Sequence, residues 1–203
     1  LISPRDRINR ILSPEKDLEC QAMILFLLDD SGSMEGKATE VVVTQHVQIY
    51  SWLIYQYARQ VESRFILHDT EAREVEDFYT YYNSTVAGGS LVASALHVVN
   101  VIVEQENLAS DYNIYVFHGT DGDDWDTQGT KTIPELKTML GYASRVGFTV
   151  VERAASAGDT EVGRYLKQSG LLESRADLLR MDTLPQDAAE TRLIEGIRHL
   201  IAE

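Results

Sequence analysis

Continuous apolar runs alternate with amphipathic stretches along most of this chain. The longest run, residues 22–28, ends directly in Asp-Asp-Ser-Gly, a pattern typical of a strand buried on both faces of a parallel sheet. Between residues 42 and 57, apolar positions recur at three- and four-residue steps and predict a long amphipathic helix. A second strand is predicted at 64–68, and an edge strand is predicted within 74–82, where Tyr and Phe are frequent.

The same alternation continues in the second half of the chain. Gly88 and Gly89 interrupt the pattern before the next predicted helix, over 92–103. The remaining predicted elements are a strand at 112–118, a helix at 133–144, a strand at 146–151, a short helix at 159–170 and a C-terminal helix around 193–200. Strands that alternate with helices indicate βαβ units. We therefore expect an α/β fold: a doubly wound, mostly parallel sheet with helices on both faces and one antiparallel edge strand.

Length and composition indicate one globular domain. A chain of 203 residues buries roughly 70 % of its unfolded surface when it folds as a single domain. Residues 1–20 are polar and partly basic and contain two prolines, so they are predicted to be a linker or entry segment. The domain itself is predicted to span 21–203. The chain begins with Leu1 rather than Met, so we expect a fragment of a longer protein.

Charge and cysteine content narrow the classes of partner and compartment. The chain has 18 basic and 32 acidic residues, a formal net charge of −14, and no run of Lys or Arg, so we expect no nucleic-acid partner. No apolar run approaches the roughly 20 residues of a membrane-spanning helix, so no membrane partner is expected either. The single cysteine, Cys20, allows no intrachain disulfide, which fits a reducing, cytoplasmic compartment.

Three polar clusters flank the predicted strands and helices. Residues 29–33 directly follow the first strand, Gly88-Gly89-Ser90 precedes a helix, and residues 120–124 follow a later strand. Because the carboxyl ends of parallel strands share one edge of the sheet, the three clusters are expected to converge there. Their carboxylate and hydroxyl oxygens suit the hard cations Mg²⁺, Mn²⁺ and Ca²⁺ and argue against a Cys/His zinc site.

The three clusters together resemble the metal-ion-dependent adhesion site of von Willebrand factor A domains. The motifs LLDDSGSM, ILHDTEAREV, GGSLVASAL and GTDGDDW resemble more closely the bacterial YeaH/YhbH-type family of such domains. The resemblance is good over about residues 22–150 and loose over the rest. It departs from the family where Ser90 replaces the usual Thr, and in lacking the family's long N-terminal region.

This resemblance implies a protein-binding module rather than an enzyme. One divalent cation, Mg²⁺ in the first place with Mn²⁺ or Ca²⁺ as alternatives, would capture a Glu or Asp side chain of a partner protein. Similar proteins tend to be encoded beside a PrkA-type serine kinase and a SpoVR-type protein, which implies a stress- or sporulation-linked complex inside the cell. The implied metal ligands are Asp29, Ser31, Ser33, Ser90 and Asp121; the residues implied to surround the ion or form its rim are Asp30, His68, Gly89, Thr120 and Asp123.

Two enzymatic interpretations compete with this one. In a metal-dependent phosphatase-like hydrolase, Asp29 would be the nucleophile, but such enzymes carry a second acid two residues further on, where this chain has Ser31. A Ser-His-Asp hydrolase is disfavoured because neither Ser31 nor Ser33 lies in a GxSxG-type turn.

Each motif also has a purely structural interpretation. Residues 29–31 and Gly88-Gly89-Ser90 are typical of turns with helix caps. Residues 124–135 approach a calcium-binding EF loop, but the fifth position is Gln and the segment follows a strand. For His68, a packed, hydrogen-bonded core position competes with a role at the site.

Overall fold

The computed structural model describes residues 21–57, 60–84, 88–152 and 158–201. The predicted linker, residues 1–20, lies outside the described residues, so the domain boundary at residue 21 stays a prediction. The strands are β1 (Gln21–Asp29), β2 (Val61–His68), β3 (Ala72–Val75), β4 (Tyr112–Thr120), β5 (Arg145–Glu152) and β6 (Leu179–Pro185). The helices are α1 (Lys37–Tyr57), α2 (Phe78–Tyr82), α3 (Val92–Gln105), α4 (Thr132–Met139), α5 (Glu161–Gln168), α6 (Leu171–Ser174) and α7 (Glu190–Ile201), with short 3-10 turns at Gly32–Met34 and Leu108–Ser110.

The strands form one sheet in the order β3-β2-β1-β4-β5-β6. All neighbouring pairs are parallel except β2 and β3, which are antiparallel. The chain passes from β1 to β2 on one side and returns to β4 on the other, so the strand order reverses between β1 and β4. In open α/β sheets this switch point is where ligands bind. The predicted doubly wound fold with one antiparallel edge strand is therefore confirmed.

Two apolar clusters cover the two faces of the sheet. One joins Leu25, Leu27 and Ile66 of the strands to the apolar sides of α3, α4 and α5. The other joins Phe26 and Leu28 to α1 and α7. β1 supplies both clusters, which explains why its sequence is a continuous apolar run rather than an alternating one. None of the helices in the described residues is both long and apolar enough to span a membrane.

Two parts of the sheet differ from the sequence prediction. The edge strand was predicted within 74–82, but β3 covers only Ala72–Val75, and Phe78–Tyr82 forms the helix α2. Asp77 starts this helix, because its carboxylate accepts a hydrogen bond from the Thr80 backbone N–H at 2.7 Å. The second edge strand, β6, was not predicted from the sequence, although it pairs with β5 over seven residues.

Candidate functional site

Three loops meet where β1 and β4 end. The β1 loop comprises residues 30–36, the α3 loop residues 88–91, and the β4 loop residues 121–131. The Gly32 N–H donates to the Gly88 carbonyl oxygen at 3.0 Å, and the Trp125 N–H donates to the Ser90 carbonyl oxygen at 3.0 Å. Backbone hydrogen bonds therefore hold the α3 loop between the other two, and the predicted convergence of the three clusters is observed.

Asp29 lies at the centre of this junction, fully buried at the end of β1. Its Oδ2 accepts hydrogen bonds from the hydroxyls of Ser90, at 2.9 Å, and Thr120, at 2.7 Å. Its Oδ1 accepts the backbone N–H of Ser31 at 3.0 Å. Both carboxylate oxygens are thus fixed by donors from all three clusters, which gives the carboxylate one orientation.

The remaining predicted ligands continue the same network. The Ser31 and Ser33 hydroxyl oxygens are 3.0 Å apart, and the Ser33 hydroxyl donates to Oδ1 of Asp121 at 3.2 Å. The Asp123 N–H donates to the same oxygen at 3.2 Å. All five residues implied as metal ligands are therefore joined in one continuous chain of contacts, which runs from Ser90 through Asp29, Ser31 and Ser33 to Asp121.

The chemistry of this donor set fits a hard divalent cation. Asp29, Ser31, Ser90 and Asp121 are each at most 3 % exposed, whereas Ser33 is half-buried. In the described part of the chain no group of three or more His, Cys, Asp and Glu side chains is placed to hold a metal. This set has only two carboxylates and adds three hydroxyls, a composition compatible with Mg²⁺, which keeps several waters and takes one or two carboxylates.

The capping interpretation of these motifs is not what the structure shows. The residue that precedes the first turn of α3 is Leu91, and the Ser90 hydroxyl points to Asp29 instead of capping the helix. Ser31 precedes the 3-10 turn but makes no side-chain cap either. Gly88 has φ +100, a conformation that favours glycine, and a Cβ there would lie 3.0 Å from an Asp69 carboxylate oxygen. Glycine at position 88 therefore allows the α3 loop to pass close to the Asp69 side chain.

Asp30, predicted to surround the ion or form its rim, is buried beside the site. Arg73 of β3 donates to its Oδ2 at 2.8 Å, and this guanidinium is half-exposed. Burial raises the pKa of the Asp30 carboxyl, although the charge of Arg73 lowers it in part. Oδ1 of Asp30 has no hydrogen-bond partner among the described residues. Asp30 therefore joins the β1 loop to the edge strand.

His68 is a buried core residue, as its structural interpretation predicted, and does not reach the surface. Its Nε2 lies 2.8 Å from Nε2 of His118, and the two rings stack with centroids 5.0 Å apart. Burial lowers the pKa of His118 well below its usual value, and the neighbouring His68 adds to this effect. One ring therefore donates the shared proton and the other accepts it. His68 pairs with Asp29 in the sheet register, so the pair packs beneath the site.

Gly89 and Asp123, which are also predicted to surround the ion or form its rim, lie nearer the surface. Gly89 is half-buried and packs against the Trp125 ring, while Asp123 is exposed and contacts Asp121 through its backbone. Thr120, predicted to surround the ion or form its rim, is fully buried, and its hydroxyl orients Asp29. The sequence signal for this role was its position at a strand end directly before Asp121.

The EF-like segment does not present a calcium-ligand arrangement. Asp124 accepts hydrogen bonds from the Asp126 N–H and the Tyr165 hydroxyl, both at 3.0 Å. Asp126 accepts backbone N–H groups of Thr130, Lys131 and Thr132 at 2.7 to 2.9 Å. These carboxylates therefore fix the loop and the start of α4.

The chain is similar in sequence to a family of bacterial proteins. The family model described as "Protein of unknown function (DUF444)" matches residues 5–170. A UPF0229 protein of Pseudomonas putida (strain F1) is 34 % identical over 116 residues, which are 57 % of this chain and 27 % of that protein. A UPF0229 protein of Vibrio vulnificus (strain CMCP6) is 36 % identical over 120 residues, 59 % of this chain and 27 % of the relative. The matched region thus spans about a quarter of the length of these relatives.

Solved structures share the fold at much lower sequence identity. The pilus adhesin SpaC from Lactobacillus rhamnosus GG, in an open conformation, aligns with TM-score 0.67 and 14 % identity over 90 % of this chain and 30 % of that chain. The PilB minor pilin from Streptococcus sanguinis aligns with TM-score 0.58 and 10 % identity over 88 % of this chain and 60 % of that chain. At these identities the likeness shows a von Willebrand A-like fold alone.

Proposed function

The chain belongs to the DUF444 family of proteins of unknown function, and we propose that it is a divalent-cation-dependent protein-binding module. The UPF0229 relatives support the predicted resemblance to the YeaH/YhbH-type family. In the proposed function, a metal-ion-dependent adhesion site captures an acidic side chain of a partner protein. The observation that supports the proposal is the continuous hydrogen-bonded network of five oxygen-bearing residues from three separate loops, in which the Ser31 backbone N–H joins Asp29 to the serines of the β1 loop.

The five side chains would provide two kinds of oxygen ligand to a cation. Ser31, Ser33 and Ser90 offer neutral hydroxyl oxygens, while Asp29 and Asp121 offer the negative charge. Mg²⁺ is the cation we propose, and Mn²⁺ or Ca²⁺ share its preference for oxygen. A bound cation supplies a Lewis-acidic position that an acidic side chain can occupy. Because only two carboxylates lie in this set, they neutralise the charge of a divalent cation without making the site anionic.

The surrounding helices favour an incoming carboxylate. The 3-10 turn that contains Ser33 leads into α1, a helix of 21 residues, and Ser90 lies two residues before α3, a helix of 14 residues. The amino-terminal end of a helix carries partial positive charge and attracts anions. Both helices begin at this edge of the sheet, so their fields support binding of an acidic group there.

The binding role accounts for Asp29 better than the hydrolase alternative does. An aspartyl nucleophile of this type works together with a second acid two residues further on, and this chain has Ser31 there. The Asp29 carboxylate is instead held by hydroxyl and N–H donors from the three loop clusters, and both hydroxyl donors come from the other two clusters. We therefore propose that the protein is not an enzyme. Incubation with p-nitrophenyl phosphate and Mg²⁺ tests this directly, and turnover that Asp29→Asn abolishes would favour the hydrolase.

The proposed partners follow from the family resemblance. They are a PrkA-type serine kinase and a SpoVR-type protein, in a stress- or sporulation-linked complex in the cytoplasm. Immobilised protein is incubated with each purified candidate in Mg²⁺ and again in EDTA. Binding is expected to disappear with EDTA, to return with Mg²⁺, and to be lost in Ser31→Ala.

A matched variant controls for the substitution itself. Ser51→Ala removes an exposed hydroxyl from α1, remote from the three loops, and is expected to bind as the wild type does. A candidate that binds equally well in EDTA and in Mg²⁺ contradicts the metal-dependent mechanism.

A further inference from the structure

Trp125 is a large apolar side chain exposed beside the candidate metal site. The residue is 70 % exposed, although tryptophan normally buries most of its surface. Its backbone N–H donates to the carbonyl oxygen of Ser90, a proposed ligand. The indole packs against Gly89, where a Cβ would lie 2.1 Å from the ring. The indole thus lies directly against the loop that supplies Ser90.

Trp125 is held in place by two buried acidic residues that are not part of the proposed ligand set. Asp124 is anchored by the Tyr165 hydroxyl, and Asp126 accepts both the N–H and the hydroxyl of Thr130 at 2.8 Å. Burial raises the pKa of Asp124; for Asp126 burial also opposes the charged form, but backbone N–H groups at the start of α4 lower its pKa. Trp125 lies between them in sequence, so the loop presents its indole from a fixed backbone.

A fixed, exposed tryptophan at a binding site has the properties of an interface anchor. Little conformational entropy is lost when it binds, and tryptophan dominates the binding energy of many interfaces. An exposed acidic residue, Asp123, lies two residues before Trp125 in the same loop, and the whole chain carries −14. A tryptophan ring attracts cationic side chains to its face, and neighbouring carboxylates reinforce this attraction. The chemistry therefore favours a basic side chain of the partner over an apolar one.

We infer that Trp125 determines the specificity of the site by stacking against a Lys or Arg of the partner, close in space to the acidic residue that the cation captures. The inference rests on the proposed function and deepens it, because it names the chemistry of the recognised segment: an acidic residue with a basic neighbour. The acidic residue of the partner binds the ion, and its basic neighbour compensates the negative charge of the protein surface beside Trp125.

An array of immobilised synthetic peptides tests the inference. Each peptide carries a central Glu, and one flanking position at a time is Arg, Lys, Leu or Ala. In Mg²⁺, the wild type is expected to bind peptides with Arg or Lys about tenfold more tightly than the matched Ala peptides. Trp125→Ala is expected to lose this preference, and Trp125→Phe to keep part of it. The matched control Trp52→Phe, an exposed tryptophan on α1, is expected to keep the full preference.

Fluorescence gives a second readout on the same proteins. The chain has two tryptophans, so Trp52→Phe leaves Trp125 as the reporter. Its emission is expected to change when the selected basic peptide is added in Mg²⁺, and not in EDTA.

Two outcomes overturn the inference and are distinguishable. A wild type that selects Leu or no particular neighbour, or a Trp125→Ala variant that keeps the basic preference, overturns the role of Trp125 alone. Peptide binding that is insensitive to EDTA contradicts the proposed function, and with it the pairing of Trp125 with a metal-bound acid.

Discussion

The Asp29 carboxylate accepts a hydrogen bond from the Thr120 hydroxyl at 2.7 Å, across 91 residues of sequence. This contact joins the ends of β1 and β4, the two strands between which the strand order reverses. Thr120 also accepts the Gly122 N–H at 3.0 Å, so one hydroxyl sets both the direction of Asp29 and the start of the β4 loop. The site is therefore built on the switch point of the sheet.

Replacing Thr120 by Val tests this relationship. Valine keeps the shape of the side chain but leaves the Asp29 oxygen and the Gly122 N–H each without one buried partner. The free energy of unfolding is expected to fall by about 2 kcal/mol, measured by urea denaturation. The control Thr138→Val removes an exposed hydroxyl on α4 and is expected to change stability by less than about 0.5 kcal/mol. Equal stabilities for the two variants would show that the Thr120 hydroxyl contributes nothing specific.

The ion pair between Asp30 and Arg73 gives a second prediction. Arg73→Met is expected to destabilise the protein by about 2 kcal/mol at pH 7, because it leaves the buried Asp30 carboxylate unpaired. The loss is expected to shrink in mild acid, since burial already raises the pKa of Asp30 and the carboxyl can then take up a proton. Urea denaturation at pH 7 and pH 5 measures both effects.

A double variant and a surface pair control this second experiment. Asp30→Asn combined with Arg73→Met is expected to recover much of the stability, because no buried charge remains. Arg164→Met removes a cation paired with the exposed Asp159 and is expected to cost under about 1 kcal/mol. If Arg73→Met lowers the free energy of unfolding no more than Arg164→Met does, Arg73 does not stabilise a buried Asp30 carboxylate.

Acid is expected to destabilise the fold through a buried histidine in α1. His46 accepts or donates one hydrogen bond with the Tyr81 hydroxyl at 2.8 Å, and burial lowers its pKa to about 3. Because this pKa lies below the unfolded value of about 6.5, the unfolded chain binds the proton first. The buried, neutral His46 therefore makes its full contribution to the free energy of unfolding above pH 6.5. This contribution is lost progressively as the pH falls from 6.5 towards 3.

Substitution isolates the contribution of this histidine. His46→Gln is expected to make the loss of stability between pH 6.5 and pH 4 shallower, by up to about 1.4 kcal/mol per pH unit, in urea denaturation at each pH. His199→Gln, at an exposed position of α7, serves as the control and should follow the wild-type slope. A His46→Gln slope identical to that of the wild type would assign the acid sensitivity to other groups.

Much of the fold and most of the site could be predicted from the sequence because their signals are local. The apolar run of β1 and the oxygen-rich motifs beside it lie in consecutive residues, and strand ends of a parallel sheet share an edge. The contact between Arg73 and Asp30 was missed because it depends on the register of β3 against β2, which no local pattern sets. The His68–His118 pair likewise depends on the order in which strands β2, β1 and β4 lie side by side in the sheet.

The errors at the two sheet edges have different causes. Phe78–Tyr82 resembles a strand by composition, but Asp77 supplies a helix cap that decides the local structure. β6 has only seven residues, among them the charged residues Arg180 and Asp182 and a terminal proline, so its strand signal is weak. Pairing with β5 supplies the stability that its own sequence does not indicate.

Calorimetric titration with Mg²⁺, repeated with Mn²⁺, tests directly whether the three loops bind a divalent cation. Asp121→Asn removes a carboxylate that contacts Ser33, whereas Asp177→Asn removes the same charge from an exposed position outside the three loops. One ion is expected to bind per chain in the wild type and in Asp177→Asn, and none in Asp121→Asn. Binding that is equal in wild type and Asp121→Asn, or no binding in either, would contradict a metal centre at this edge of the sheet.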